Sequence, residues 1–238
     1  AGLNDNYWSP QTGLDKIDLN NSPISSSGIA HPNHFFYPWQ DFSVLRYYGI
    51  EVMSGWQLYF DVNSGPAKTW RNECVRLQSY ASSFRPSVRS GSDYHTSWYS
   101  YVTQVKLASP SIWSTGTWDD RWAAFSQGLK NGRTSISRKG SLAYFTLDGY
   151  DVGSSIARAS GAPVNFNLSF TPIESGSYTL TLYQDNCASA VWSTSGSLAA
   201  GTPYSWARTI NYPGGSHYYW LYVSGQDYCY TTPVYVHP

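Results

Sequence analysis

Charge is the scarcest property of this sequence. Only 13% of the 238 residues are charged, and 15 basic residues balance 15 acidic ones. A chain without net charge lacks the positive surface that attracts nucleic acid or an anionic membrane. No apolar run in the sequence approaches the roughly 20 residues that a membrane helix requires. We therefore predict no nucleic-acid partner and no membrane span.

Motifs for cofactors and metals are also missing. The sequence contains no Gly-rich nucleotide loop, no G-x-S-x-G elbow, no H-E-x-x-H and no Cys/His zinc spacing. His31 and His34 have the spacing of two ligands on one helical face. Pro32 and Pro38 prevent a regular helix there, so the pair loses that geometry. We predict no cofactor and no metal site.

The composition is typical of an extracellular protein. Ser, Thr, Tyr and Gly fill the surface role that Lys and Glu have in cytosolic proteins. The sequence begins Ala1-Gly2 without a methionine, as expected of a mature secreted chain whose signal has been removed. Asn20 and Asn167 begin Asn-x-Ser/Thr sequons, which are consistent with a glycosylated surface. We predict a secreted, extracellular protein.

Aromatic residues are abundant, at 17% of the chain. The C-terminal third contains six short segments rich in aromatic and β-branched residues, each bounded by turn residues. Their spacing of about ten residues predicts an immunoglobulin-like β-sandwich, from strand rhythm alone. The six segments cover residues 164–170, 177–184, 189–194, 203–210, 217–224 and 232–238.

The sequence predicts an all-β protein with two domains. A stretch of small residues at 153–163 reads as a linker. We therefore predict an N-terminal β-rich domain over 1–155 and the immunoglobulin-like domain over 162–238. The N-terminal domain is predicted to be a β-sandwich or to resemble a jelly roll.

One short helix is predicted in the N-terminal domain, at about 117–131. Thr117 is a suitable N-cap, and Gly132 is suited to end the helix. We expect the helix to lie across a sheet and to bury its aromatic side. That side carries four large apolar residues on one helical face: Trp118, Trp122, Phe125 and Leu129.

Three cysteines are too few for a disulfide scaffold but allow one pair. Cys187 and Cys229 each lie a few residues after a predicted strand end. If those two strands run in the same direction, the cysteines meet at one pole of the sandwich. We predict a Cys187–Cys229 disulfide, and we expect Cys74 to be a buried free thiol.

Paired carboxylates are the requirement of most glycoside hydrolases. Glu51 and Glu73 lie on predicted strands and form the candidate pair, although no specific E-x-D-x-E strand accompanies them. Solvated strand acids are the alternative interpretation. A lyase site would instead use His and Tyr groups, for which His34 and Tyr37 are suitable. The candidate ligand-binding residues are Trp39, Tyr99 and Arg71.

Two functions remain open. The first is a structural or adhesive surface protein, such as a filament subunit that assembles through strand edges and aromatic contacts. The polar segment 1–29 can serve as a pairing arm in that case. The second is a secreted carbohydrate-active protein, namely a polysaccharide hydrolase, lyase or binding module with an accessory immunoglobulin-like domain. The expected partners are further copies of the chain or a cell-surface glycan.

Overall fold

A computed structural model describes residues 49–54, 87–91, 101–185 and 189–238. The described residues are mostly strand, arranged largely in antiparallel sheets, with two short helices. The predicted all-β class is confirmed. Among the described residues, no helix has the length and apolar character needed to cross a membrane.

Fourteen strands and two helices follow one another along the described chain. The first elements are β1 (Gly49–Ser54), β2 (Ser87–Gly91), β3 (Val102–Val105), α1 (Ile112–Thr115), α2 (Trp118–Lys130), β4 (Thr134–Ser137), β5 (Leu142–Leu147), β6 (Tyr150–Asp151) and β7 (Ser155–Ala157). The remaining strands are β8 (Pro163–Thr171), β9 (Gly176–Gln184), β10 (Ser189–Leu198), β11 (Tyr204–Asn211), β12 (His217–Gly225), β13 (Cys229–Thr231) and β14 (Val234–His237).

Two sheets contain nearly all of these strands. The larger sheet has eight strands in the order β10-β9-β12-β13-β4-β3, with β14 pairing β12 and β7 pairing β14. The smaller sheet has four strands in the order β11-β8-β5-β6. Strands β1 and β2 form a separate parallel pair.

The inner faces of the two sheets share one hydrophobic core. Strand β8 alternates exposed residues with buried ones, as expected when one face of a strand is solvated. Across the core, the rings of Phe166 and Tyr219 meet edge to face with centroids 5.1 Å apart. Phe170 and Tyr178 form a second contact of the same kind, also at 5.1 Å. These four rings bring β8 of the small sheet onto β9 and β12 of the large sheet.

The larger sheet is also buried on its second face around β12, β13 and β14. Trp220 points away from the shared core and is fully buried. Its ring stacks on Tyr183 at 4.9 Å and on Tyr230 at 6.1 Å. Tyr218 and Tyr235 continue this aromatic layer, with centroids 5.9 Å apart. Burial on both faces explains why β12 has an unbroken apolar run instead of an alternating pattern.

All six predicted C-terminal segments contain strands, namely β8 to β12 and β14. The prediction did not include β4, β7 and β13, which have three or four residues each. Strand β7 lies within the predicted linker 153–163 and pairs in parallel with β14. Strand β4 pairs with β13, and β5 pairs with β8. Strands from both sides of the predicted boundary therefore share sheets, and the two-domain division stays a prediction.

Helix α2 confirms the predicted position and capping of the helix. The side chain of Thr117 accepts a hydrogen bond from the backbone of Asp120, whose carboxylate accepts one from the backbone of Thr117 in return. This capping box satisfies two amide groups at the helix N-terminus. The hydrogen bonds from the Thr117 hydroxyl and then from its backbone lower the pKa of Asp120.

The prediction that α2 buries its aromatic side is wrong. Trp118 is 72% exposed and Trp122 is 46% exposed. Among the described residues, the contact of the helix with the sheet lies in its C-terminal half, where Gly128 lies directly over Val105 of β3. Periodicity identified the helix correctly but did not reveal which part of it has a neighbour.

Cys229 is a buried free thiol rather than half of a disulfide. Strands β9 and β12 are antiparallel neighbours, so the strand ends that precede the two cysteines lie at opposite poles. Cys229 lies beside Val223, which faces Leu180 on β9. From Leu180 to Asp185 the strand covers about 17 Å. Cys187 itself lies outside the described residues.

The Cα atoms of a disulfide lie less than about 7 Å apart. The two residues from Asp185 to Cys187 span at most about 7 Å, so Cys187 stays about 10 Å or more from the level of Cys229 along the strand. The structure therefore argues against the predicted Cys187–Cys229 bond. The error came from assuming that the two strands run in the same direction. Cys229 instead belongs to the core, with its Sγ 3.9 Å from the carbonyl oxygen of Ser141.

Gly153 holds the end of α2 against the larger sheet. Its amide donates to the carbonyl of Pro233 at 2.7 Å. A Cβ atom at this position would lie 2.0 Å from the carbonyl oxygen of Asn131 and 2.8 Å from the carbonyl carbon of Gly132. Those atoms are backbone, so they have little freedom to move aside. Only glycine permits this close approach.

We predict that Gly153→Ala destabilises the protein far more than Gly149→Ala. Both glycines have a left-handed φ, of 84° and 82°, but a Cβ on Gly149 would meet nothing within 4 Å. Alanine at either site has a conformational cost of about 1–2 kcal/mol. The backbone overlap at Gly153 adds at least about 2 kcal/mol. Urea unfolding measures the difference, and equal midpoints for the two variants would contradict the close approach.

We also predict that Cys229 is inert in the native protein. Burial, followed by the nearby Asp227 carboxylate, raises the pKa of its thiol well above the usual range. The thiol therefore stays protonated and weakly nucleophilic. Iodoacetamide without reductant should leave Cys229 unmodified in the native chain and modify it after unfolding, as measured by peptide mass mapping. A requirement for reductant would show that Cys229 is in a disulfide after all.

Candidate functional site

Most of the predicted site residues lie outside the described residues. These are Glu73, His34, Tyr37, Trp39, Tyr99, Arg71 and Cys74. Glu51 lies in β1, and its Cα pairs with that of Arg89 in the parallel ladder with β2. Within the described ranges, no group of three or more His, Cys, Asp or Glu residues is placed to hold a metal.

The most unusual feature of the described residues is an open edge of the larger sheet. Strand β10 is ten residues long and ends the strand order. Within the part of the chain that the structure describes, it pairs with β9 only. Its sequence, SAVWSTSGSL, contains no charged residue and no proline. Proteins usually protect edge strands with charge, proline, bulges or short length.

One bulge is present, near the start of β10. The register with β9 shifts between Ala190 and Trp192, which leaves Val191 as the extra residue. From Trp192 to Leu198 the pairing runs without interruption. We call residues 192–198 the open edge. It is the regular part of the strand, and its outward peptide groups follow the spacing of a sheet.

Asp185, which follows β9, is anchored to the start of β12. Asp185 adopts a left-handed backbone with a φ of 52°. Its carboxylate accepts hydrogen bonds from the amide of Tyr218 at 3.0 Å and from Nδ1 of His217 at 2.5 Å. Its carbonyl accepts one from Nε1 of Trp220 at 3.0 Å. These bonds hold the end of β9 to the start of β12.

His217 joins a second turn to this cluster. Its Nε2 lies 2.7 Å from the carbonyl oxygen of Gly214, while its Nδ1 faces Asp185. The Tyr212 hydroxyl donates to the carbonyl of Gly215. Gly214 and Gly215 both have a positive φ, so the turn requires glycine there. The end of the sandwich where β10 begins is therefore rigidly connected.

Hydroxyl groups line the outer face beside the open edge. Ser195 and Ser197 of β10 face Thr179 and Ser177 of β9 across the ladder. The Ser195 and Thr179 hydroxyls hydrogen-bond at 2.8 Å. A cavity of about 430 Å³ lies over this region, and its lining contains no charged side chain. The surface that flanks the open edge is therefore polar and neutral.

Aromatic rings line the other face of the open edge. Trp192 of β10 and Trp206 of β11 lie with centroids 6.1 Å apart, and Tyr204 stacks on Trp206 at the same distance. All three rings are half-buried. Strand β11 ends the order of the smaller sheet, so these rings close the side of the sandwich between two edge strands.

The sequence indicated a strand over 189–194 but not its place at the edge. Edge position depends on which strands pair, and the local pattern does not report it. The absence of charge across SAVWSTSGSLAA was the available signal, because edge strands without gatekeeper residues are rare.

No family model and no curated protein matches this chain. Among solved structures, a β-glucosidase from Listeria innocua matches 41% of this chain and 16% of its own length, with 11% identity and a TM-score of 0.29. A β-glucosidase from Erythrobacter marinus matches 41% of this chain and 15% of its own length, with 10% identity and a TM-score of 0.25. An engineered protein matches 80% of this chain and 41% of its own length, with 12% identity and a TM-score of 0.25. The chain spans only a small part of the two glucosidases, and no conclusion about fold or function rests on these likenesses.

Proposed function

We propose that this protein is an extracellular structural or adhesive surface protein whose copies assemble by strand pairing at the open edge of β10. The observation that carries the proposal is the uncharged, uninterrupted edge over residues 192–198. The extracellular location is supported by the low charge content of the sequence. We also propose that the sandwich is immunoglobulin-like, for which two largely antiparallel sheets over one core give support.

Backbone hydrogen bonds supply the main attraction in this form of assembly. Roughly half of the peptide groups of an antiparallel edge strand point outward, and each bond contributes about 1 kcal/mol net. Association also costs several kcal/mol of lost translational and rotational freedom. The exposed parts of Trp192, Trp206 and Tyr204 add apolar contact beside the edge. Aromatic side chains of this kind often anchor protein interfaces.

The partner that we propose is a strand from a second copy of the chain. An incoming strand continues the eight-stranded sheet past β10 and satisfies its outward peptide groups. Because β10 and the cavity lining on its outer face contain no charged residue, neither contributes like-charge repulsion against this pairing. The polar segment 1–29 remains our predicted donor from the sequence, and it lies outside the described residues.

The carbohydrate-active alternative also stays a prediction. Its proposed catalytic residues are Glu51, Glu73, His34 and Tyr37. Of these four residues, the structure describes only the backbone of Glu51. The assembly proposal is preferred because a described feature, the open edge, supports it.

We predict that Ser197→Lys weakens self-association at least tenfold, which corresponds to about 1.4 kcal/mol. A lysine on an edge strand must lose part of its hydration when another strand pairs beside it. The effect is measured as the concentration at which the assembly dissociates, by analytical ultracentrifugation and electron microscopy.

The matched control is Ser177→Lys. Ser177 is exposed on the same outer face and is the cross-strand partner of Ser197, but it lies one strand inward on β9. The control should change self-association by less than twofold. The proposal fails if the wild-type chain is monomeric at every concentration, or if both variants weaken association equally.

A further inference from the structure

Three tryptophans on the helical segment of the chain are exposed. Trp113 of α1 is 55% exposed, and Trp118 and Trp122 of α2 are 72% and 46% exposed. Tryptophan is on average a highly buried residue, so this degree of exposure is unusual. Trp118 and Trp122 are four residues apart and therefore share one face of α2. We call Trp118 and Trp122 the tryptophan platform.

The platform is held in place by its surroundings. The capping box between Thr117 and Asp120 fixes the start of α2 next to Trp118. A Cβ on Gly116 would lie 2.6 Å from the carbonyl oxygen of Ile112, so the turn between the helices is tight. Trp122 stacks on Phe125 with ring centroids 5.9 Å apart. The stacking on Phe125 restrains the ring of Trp122, which reduces the entropy lost when a ligand binds there.

We propose that the tryptophan platform binds a neutral glycan through the apolar faces of its sugar rings. Exposed aromatic rings with a polar edge suit ligands that combine apolar ring faces with hydroxyl groups. The helix has balanced charge, with Asp119 and Asp120 near its start and Arg121 and Lys130 along it. A neutral ligand is therefore favoured over a charged one.

The size of the platform argues against the other partners that exposed tryptophans attract. Its two side chains offer roughly 300 Å² of exposed ring surface, since a large aromatic side chain has about 250 Å² in total. A stable dimer buries about 800 Å² on each partner. Membrane-surface helices carry many Lys and Arg residues on their polar face, and α2 does not.

The platform and the open edge are separate sites. Helix α2 rests on β3, which stands at the opposite end of the strand order from β10. A copy paired at β10 would not need to cover the tryptophans. The glycan proposal therefore does not depend on the assembly proposal.

Affinity electrophoresis of the full chain tests the proposal directly. The probes are neutral soluble polysaccharides in the gel, namely a β-glucan, a mannan, a xylan and a galactan, with alginate as the acidic comparison. We expect at least one neutral polysaccharide to retard the wild-type chain. The double variant Trp118→Ala/Trp122→Ala should raise the dissociation constant for that polysaccharide at least tenfold.

The matched control is Tyr150→Ala, which removes an aromatic side chain that is 49% exposed on β6. It should bind as the wild type does. Circular dichroism checks that each variant is folded, and Trp122→Phe, which keeps an aromatic ring, should retain most of the binding. The proposal is overturned if no neutral polysaccharide retards the chain, if the double variant binds normally, or if the tryptophans instead mediate dimerisation or binding to phosphatidylserine vesicles.

Discussion

The packing of the two sheets against each other is the interaction on which the rest of the structure depends. Buried residues on β8 of the small sheet meet those on β9 and β12 of the large sheet, and the Phe166–Tyr219 contact spans the gap between them. Because β12 lies in the middle of the large sheet, this core fixes the order of its neighbours. Strand β10 then stands at one side, where it has a single pairing strand among the described residues.

That arrangement links the core to the proposed function. The core is closed laterally by half-buried aromatic rings between β10 and β11, and the backbone of β10 remains available next to them. The bulge at Val191 restricts the regular edge to residues 192–198. Asp185 and His217 join the end of β9 to the start of β12. We propose that this neutral edge pairs with a strand of another molecule.

The sequence was informative where local pattern decides the structure. Alternation along β8 and the capping signal at Thr117 identified their elements correctly, because propensity and hydrogen bonding at these sites are local. The sequence was not informative where the structure depends on which elements pair or pack together. The direction of β12 relative to β9 determines whether Cys229 can reach Cys187. The described contact of α2 with the sheet likewise lies in the C-terminal half of the helix, which the helical periodicity did not indicate. Edge position and ring exposure are likewise properties of the assembled sheets.

Hydrogen exchange of the backbone amides of β10 is the most direct test of the central claim. The measurement compares the dissociated chain with the assembled one, at a resolution that separates residues 192–198 from β12. The account predicts that outward amides of the open edge exchange rapidly in the monomer and become protected on assembly, while β12 is protected in both states. Equal exchange of the open edge in the two states would contradict strand pairing at β10.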